Sequence, residues 1–250
     1  MKVIVTGSEG FIGKSLCAKL TEACHEVVGI DRKIGTEAKD IGSFMDGVDV
    51  VFHLAAQTSV WNDDLLQIEQ DNMRTFMEVV EACNNSGAKL VYASSSTADR
   101  RNTTSMYGLS KRFNEEFAIL YGRNATGVRL HNVYGREPRE GTLLHCLMTK
   151  TDVTLWNNGE SMRHFTYIDD AVEGLVNAIS LGTEVVNVAN RELISVWELA
   201  ELVRRYIPVR IHKISERRER DTAVQFLNED LHTLELDYTK VEEGIRRVFS

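Results

Sequence analysis

The sequence predicts an α/β protein with a doubly wound parallel sheet and a small C-terminal α/β region. Three observations lead there. Short runs rich in β-branched residues alternate with longer amphipathic stretches through the first half of the chain. The first such run turns into a helical pattern through closely spaced glycines, Gly7, Gly10 and Gly13. Past about residue 135 the alternation weakens, and Pro138, Gly141, Asn157, Asn158 and Gly159 punctuate shorter elements. Strands joined by crossover helices run parallel and carry helices on both faces.

Residues 3–6 form the first strand, and 11–23 follow with Phe11, Ile12, Leu16 and Leu20 at helical spacing. Residues 26–31 make the second strand and 48–54 the next, built on Val48, Val50, Val51 and Phe52. Only 16 residues separate Asp31 from Val48, so any strand between them is short or missing. Residues 65–83 read as one long helix through Leu65, Ile68, Met73, Phe76, Met77 and Val80. A strand at 89–93, a helix at 105–121 and a strand at 127–130 complete the pattern. The expected division is a nucleotide-binding region over 1–135, to which a strand within 183–190 returns, and a substrate region over 136–250.

The chain has 250 residues and a net charge of −8; 43% of residues are hydrophobic and 26% charged. That is globular composition, which excludes disordered and fibrous classes, and the acidic balance argues against a nucleic-acid partner. With two prolines there is no proline-rich linker. No apolar run reaches the roughly 18 residues that span a bilayer, so no membrane association is expected. Cys17, Cys24, Cys83 and Cys146 lack paired or metal-type spacing and read as reduced thiols of a cytoplasmic protein. His25, His145 and His212 show no ligand spacing, and no metal is expected.

Gly7 sits where strand becomes helix and permits a tight turn. Gly10 lets backbone approach a pyrophosphate, and Gly13 lets helix pack on sheet. The helix N-terminus then offers unpaired N–H groups to an anion. Asp31 ends the next strand, 18 residues past Gly13. A carboxylate there accepts from both ribose hydroxyls and repels a 2′-phosphate. These are the marks of a Rossmann-type NAD site, with Arg32 and Lys33 leaving NADP as the alternative. Farther on, Ser94, Ser95 and Ser96 follow a strand at its carboxyl end. Tyr107 and Lys111, four positions apart, share one helix face. An ammonium beside a phenol favours the phenolate, so Lys111 is expected to lower the pKa of Tyr107 from its ordinary value of about 10.

Along nearly its whole length the chain resembles the extended short-chain dehydrogenase/reductases, in particular their nucleotide-sugar epimerase and dehydratase branch. Residues 6–13 resemble that family's cofactor loop, through Phe11 and Ile12 as well as the glycines. Asp40 and Ile41 resemble its adenine-contacting pair, and His53, Leu54, Ala55 and Ala56 its strand end beside the nicotinamide. Asn72 matches a buried helix asparagine that serves the cofactor site. The resemblance implies a catalytic set of Ser95, Tyr107 and Lys111, with Lys111 also binding the nicotinamide ribose. It implies Ser96, Asn132, Arg163 and Arg218 as substrate ligands, the two arginines converging on a diphosphate. It further implies a homodimer through the helices at 65–83 and 105–121, with Phe76, Met77, Phe113 and Phe117 as surplus apolar positions.

Departures fall around the sugar. The chain is shorter than usual members, and the aromatic–glycine pair after the serines is replaced by Ala98, Asp99 and Arg100. Eleven residues lie between Ser95 and Tyr107, fewer than the family pattern, and His131 and Arg220 replace an aromatic and a glycine. The implied activity is epimerisation of a nucleotide-diphosphate sugar: Tyr107 takes a hydroxyl proton, the same carbon gives its hydride to NAD, and the keto-sugar is reduced on its other face. Members of the resembled family that dehydrate or decarboxylate place a carboxylate just after the catalytic hydroxyl, where Ser96, Thr97 and Ala98 stand here; Asp99 is the nearest acid. A keto-sugar reductase and a non-catalytic NAD-binding regulator are the remaining alternatives.

Overall fold

The computed structural model describes residues 1–250. In chain order the elements begin with β1 (Lys2–Thr6), α1 (Phe11–Glu22) and β2 (Glu26–Ile30). Two 3₁₀ helices, Arg32–Ile34 and Ala38–Phe44, occupy the short link to β3 (Val50–His53), where no strand forms. Then come α2 (Leu65–Ile68), a π-helical stretch Glu69–Arg74, α3 (Thr75–Ser86), β4 (Lys89–Ser95), α4 (Met106–Tyr121) and β5 (Ala125–Leu130). The remainder comprises β6 (Val133–Tyr134), α5 (Leu143–Thr149), β7 (Asp152–Leu155), β8 (Met162–His164), β9 (Thr166–Tyr167), α6 (Ile168–Asn177), β10 (Glu184–Val188), β11 (Leu193–Ser195), α7 (Val196–Arg204), β12 (Arg210–Lys213) and α8 (Val241–Val248).

Six strands form one all-parallel sheet in the order β2-β1-β3-β4-β5-β10. Strand order reverses between β1 and β3, and in open parallel sheets a ligand crevice forms outside the strand ends at such a point. The two-residue period of a strand sends Val3 and Val5 to one face and Ile4 to the other. The first face carries the larger core, which runs on into Leu147, Val153, Leu155, Leu199 and Val203 of the C-terminal half. The second holds Val51, Phe76, Leu90 and Tyr92 under α3. Each such side chain, fully buried, contributes roughly 1.5–3 kcal/mol. Because β10 pairs with β5, the sheet is discontinuous in sequence, as the run at 183–190 led one to expect.

The predicted helix at 65–83 runs to Ser86, ends at the left-handed Gly87 (φ 80°), and contains the π-helical turn that a helical period cannot reveal. Ser105 caps α4 by accepting the Gly108 N–H, and Ser195 and Glu198 form a capping box on α7. Residues 214–239 form a long strap over the strand ends. It lies against the free edge of β10, where the Asn187 N–H donates to His232 O and the Asn187 carbonyl accepts the Leu234 N–H.

Candidate active site

β1, β3 and β4 end side by side, and their loops line one cavity of about 640 Å³. At its centre Gly7 turns the chain with φ 72°, and a Cβ there would lie 2.8 Å from Ala55 N. A Cβ on Gly13 would meet Gly7 O at 2.0 Å, so only glycine lets α1 sit this close to the loop. Gly10 caps α1 without any side-chain bond, and the first turn holds no acid. Its N–H groups therefore face the cavity as an anion cradle. The end of β3 is fixed to β1: Thr6 Oγ1 accepts the Ala55 N–H at 3.2 Å and lies 2.9 Å from His53 Nδ1. The hydroxyl proton is thus left for the imidazole. Burial, helped by the Lys111 charge, pushes His53 down to about 3 and keeps it neutral.

Asp31 lines the far end of the cavity. Its carboxylate accepts the Glu9 N–H at 3.1 Å and the Lys33 N–H at 2.9 Å, which ties the glycine loop to the end of β2. Arg32 lines the same end, beside Glu37, Ala38 and Lys39. Those last three, rather than Asp40 and Ile41, form the wall here: Ile41 is buried in the core under α3, and Asp40 is exposed. The link winds into a 3₁₀ helix over Ala38–Phe44, which turns the two residues away. Asn72 is buried too, but outside the cavity. Its Oδ1 accepts the Gln57 N–H at 2.7 Å, while Nδ2 donates to Gln57 O and to Ser110 Oγ. It acts on the site by holding the loop that follows Ala56.

At the other end stand Ser95, Ser96, Tyr107 and Lys111, all lining the cavity. Lys111 Nζ donates to Ala93 O at 2.8 Å and lies 5.9 Å from the Tyr107 ring centre. Burial brings Lys111 down to about 8, against the Glu115 charge. The expected lowering of the phenol is not found: burial raises Tyr107, and only the Ser95 bond and the Arg139 charge oppose it. In this state Tyr107 holds its proton. Behind it lies a buried ionic network that the sequence did not disclose. Glu115 grips Arg129 through two bonds of 2.7 and 2.8 Å and accepts Ser94 Oγ at 2.5 Å. Arg129 also reaches Asp99 at 3.4 Å.

Asp99 does not line the cavity. Burial works against its charge, but the Arg101 bonds and the Arg129 charge outweigh it and hold the carboxyl below its ordinary range. The acids on the cavity wall are Asp31, Glu37 and Asp71, all at the Arg32 end. The expected diphosphate grip is not assembled. Arg163 is paired with Asp221 on the strap, and the Arg218 guanidinium stacks on Trp61 at 3.8 Å. Neither arginine lines the cavity. The one arginine that does so near Tyr107 is Arg139, which meets Thr58 Oγ1 across the mouth. Asn132 lines the wall, with both Nδ2 protons engaged by His164 O and Gln225 Oε1. Gln225 in turn donates to Ser96 Oγ at 2.7 Å. Arg139 and Gln225 belong to no motif, and the strap brings Gln225 across 129 positions of sequence.

The geometry thus offers one groove with an anion cradle at its middle, the Asp31 carboxylate at one end, and Tyr107, Lys111 and the Ser95 hydroxyl at the other. Comparison with known proteins gives the family and the fold. Residues 3–189 match the family described as the NAD dependent epimerase/dehydratase family. The uncharacterized UDP-glucose epimerase YtcB of Bacillus subtilis is 29% identical, with 81% of each chain covered. Among solved structures, a UDP-glucuronic acid 4-epimerase from Bacillus cereus, bound to UDP-glucuronic acid and NAD, superposes with a TM-score of 0.85 at 21% identity, covering 100% of this chain and 98% of that one. The NDP-hexosamine 5,6-dehydratase TunA gives 0.82 at 24% identity, covering 99% and 96%. At such identities the superpositions show the fold.

Proposed function

This chain belongs to the NAD-dependent epimerase/dehydratase family, and from that premise we propose that it epimerises a nucleotide-diphosphate sugar through a transient keto-sugar. One observation carries the choice within the family: no carboxylate lines the Tyr107 end of the cavity. Eliminating water or carbon dioxide from a keto-sugar requires a further acid or base beside the reacting carbons. Asp99, the nearest acid in sequence, is held outside by Arg101 and Arg129.

NAD fits the groove: the Gly10 cradle would face its pyrophosphate, Asp31 the adenosine ribose, and Lys111 the nicotinamide ribose. Bound there, it supplies the hydride acceptor and donor. Tyr107 acts in its phenolate form, which the Lys111 ammonium favours: it accepts the sugar hydroxyl proton and later returns it, while the neighbouring Ser95 hydroxyl holds the reacting oxygen by a hydrogen bond. Lys111 stays within 2.8 Å of Ala93 O, so its position is set before ligands arrive. Ser96 accepts from Gln225, which leaves its own proton for a sugar oxygen. Arg139 supplies positive charge near the reaction centre.

We further assign the molecule to the cytoplasm, on its four free cysteines, and to a two-fold homodimer. No helix is long and apolar enough to cross a membrane. The dimer reading rests on the outer faces of α2 and α4. There Leu66 is 77% exposed and Leu120 74%, with Leu65, Leu109, Ile119 and Tyr121 alongside. Phe76 is not part of that face: it is fully buried, edge-on to Tyr92. A panel of nucleoside-diphosphate sugars, screened by thermal shift with NAD present and followed by product mass, tests the function. A stabilising sugar converted to a product of equal mass supports it; a product lighter by one water overturns it.

A further inference from the structure

Arg32 follows Asp31 and lines the same end of the cavity, where a guanidinium could take a 2′-phosphate. It is already taken. Its Nη1 donates to Asp71 Oδ2 at 2.9 Å and its Nη2 to Asp71 Oδ1 at 2.5 Å. Asp71 Oδ2 also accepts Gln67 Nε2 at 2.6 Å. The Asp71 side chain is 9% exposed and that of Arg32 57%, so the acid is the fixed member of the pair. Asp71 comes from the π-helical turn, 39 positions away in sequence. Its neighbour Asn72 turns inward to the Gln57 loop, so the widened turn serves both sides of the groove. The other cations here are engaged as well: Lys33 Nζ donates to Glu9 O at 3.2 Å, and Lys39 Nζ lies 3.2 Å from Glu37.

We propose that Asp71 selects the cofactor, holding the Arg32 fork closed and adding a second carboxylate beside Asp31, so that the groove takes a dinucleotide with a free 2′-hydroxyl and rejects one with a 2′-phosphate. A guanidinium recognises phosphate best through two parallel N–H bonds, and a carboxylate that already fills both removes that mode. A phosphate brought to this end meets Asp31, Asp71 and Glu37 with no free cation to balance it. Discrimination therefore comes from repulsion and occupied donors, not from added contacts to NAD.

The inference rests on the groove being the NAD site, and the test separates the two. Titrate the full-length chain with NAD and with NADP by calorimetry, as wild type, D71A, R32A and the double variant. D71A should raise NADP affinity about tenfold, the worth of a freed charge-assisted bond, and move NAD affinity less than about threefold. R32A should remove most of that gain in the D71A background and cost NADP binding much less where Asp71 is present, a coupling that a double-mutant cycle reads directly. NAD affinity reports that each variant is folded. An unchanged NADP-to-NAD ratio in D71A, or equal R32A effects in both backgrounds, overturns the inference. A wild-type chain that binds neither dinucleotide overturns the reading of the groove.

Discussion

Acid should unfold this protein through its interior histidines. His53 and His131 are 1% exposed and held neutral, each pushed down to about 3 from an ordinary value of 6.5, chiefly by burial. The unfolded chain takes up their protons below pH 6.5 and the native chain does not until pH 3, so stability falls as pH falls between those values. At pH 5 an unfolded-state histidine is almost fully charged, and each site costs about 2 kcal/mol; the limit below pH 3 approaches 5 kcal/mol per site. Two such sites remove about 4 kcal/mol at pH 5, a large part of a typical margin of roughly 5–15 kcal/mol. Urea unfolding at pH 7.5 and pH 5, compared between wild type and His131→Gln, isolates one of them. The variant should lose about 2 kcal/mol less than wild type over that interval, with m unchanged. An identical pH dependence in the two proteins would refute the assignment of His131 as a buried neutral group.

Four other outcomes follow. Tyr107→Phe should keep the fold and NAD affinity while turnover drops on the order of 10²–10⁴-fold, read by a coupled sugar assay. Glu115→Gln should cost about 3–5 kcal/mol in urea unfolding, because it leaves Arg129 buried with its main partner gone. Gly13→Ala should abolish NAD binding in calorimetry, since its Cβ would fall 2.0 Å from Gly7 O. Light scattering at micromolar concentration should give twice the chain mass, and Leu120→Asp should give the monomer; a monomeric wild type would count against the α2–α4 face.

What was legible in the sequence was local. Strand alternation and helix period placed five of the six sheet strands and α1, α3 and α4 to within a few residues, because burial writes that period into the chain; the sixth strand, within 183–190, came from the family resemblance. The glycine loop, Asp31, the serines at 94–96 and the Tyr107/Lys111 pair were legible as residues that line one cavity, since each depends on local spacing; the choice of Ser95 among the serines came from the family resemblance. What escaped depends on distant pairing. Glu115 looks like any acid on a helix until Arg129 arrives from the next strand. Gln225 reaches the site because the strap crosses the strand ends, and Arg163 leaves it because Asp221, on the same strap, claims its guanidinium. Asp40 and Ile41 were misplaced because the link after β2 winds into 3₁₀ turns, whose short pitch leaves no clear pattern.

The most direct test follows the hydride. A nucleotide sugar chosen by the thermal-shift panel and deuterated at the carbon to be inverted is incubated with the enzyme and NAD, and the product is read by proton NMR and mass spectrometry. An epimerase that oxidises and re-reduces the same carbon should return the deuterium there, with inverted configuration, unchanged mass and no accumulation of reduced cofactor. Loss of the label to solvent, its build-up on released cofactor, or a product lighter by water or carbon dioxide would contradict epimerisation through a transient keto-sugar.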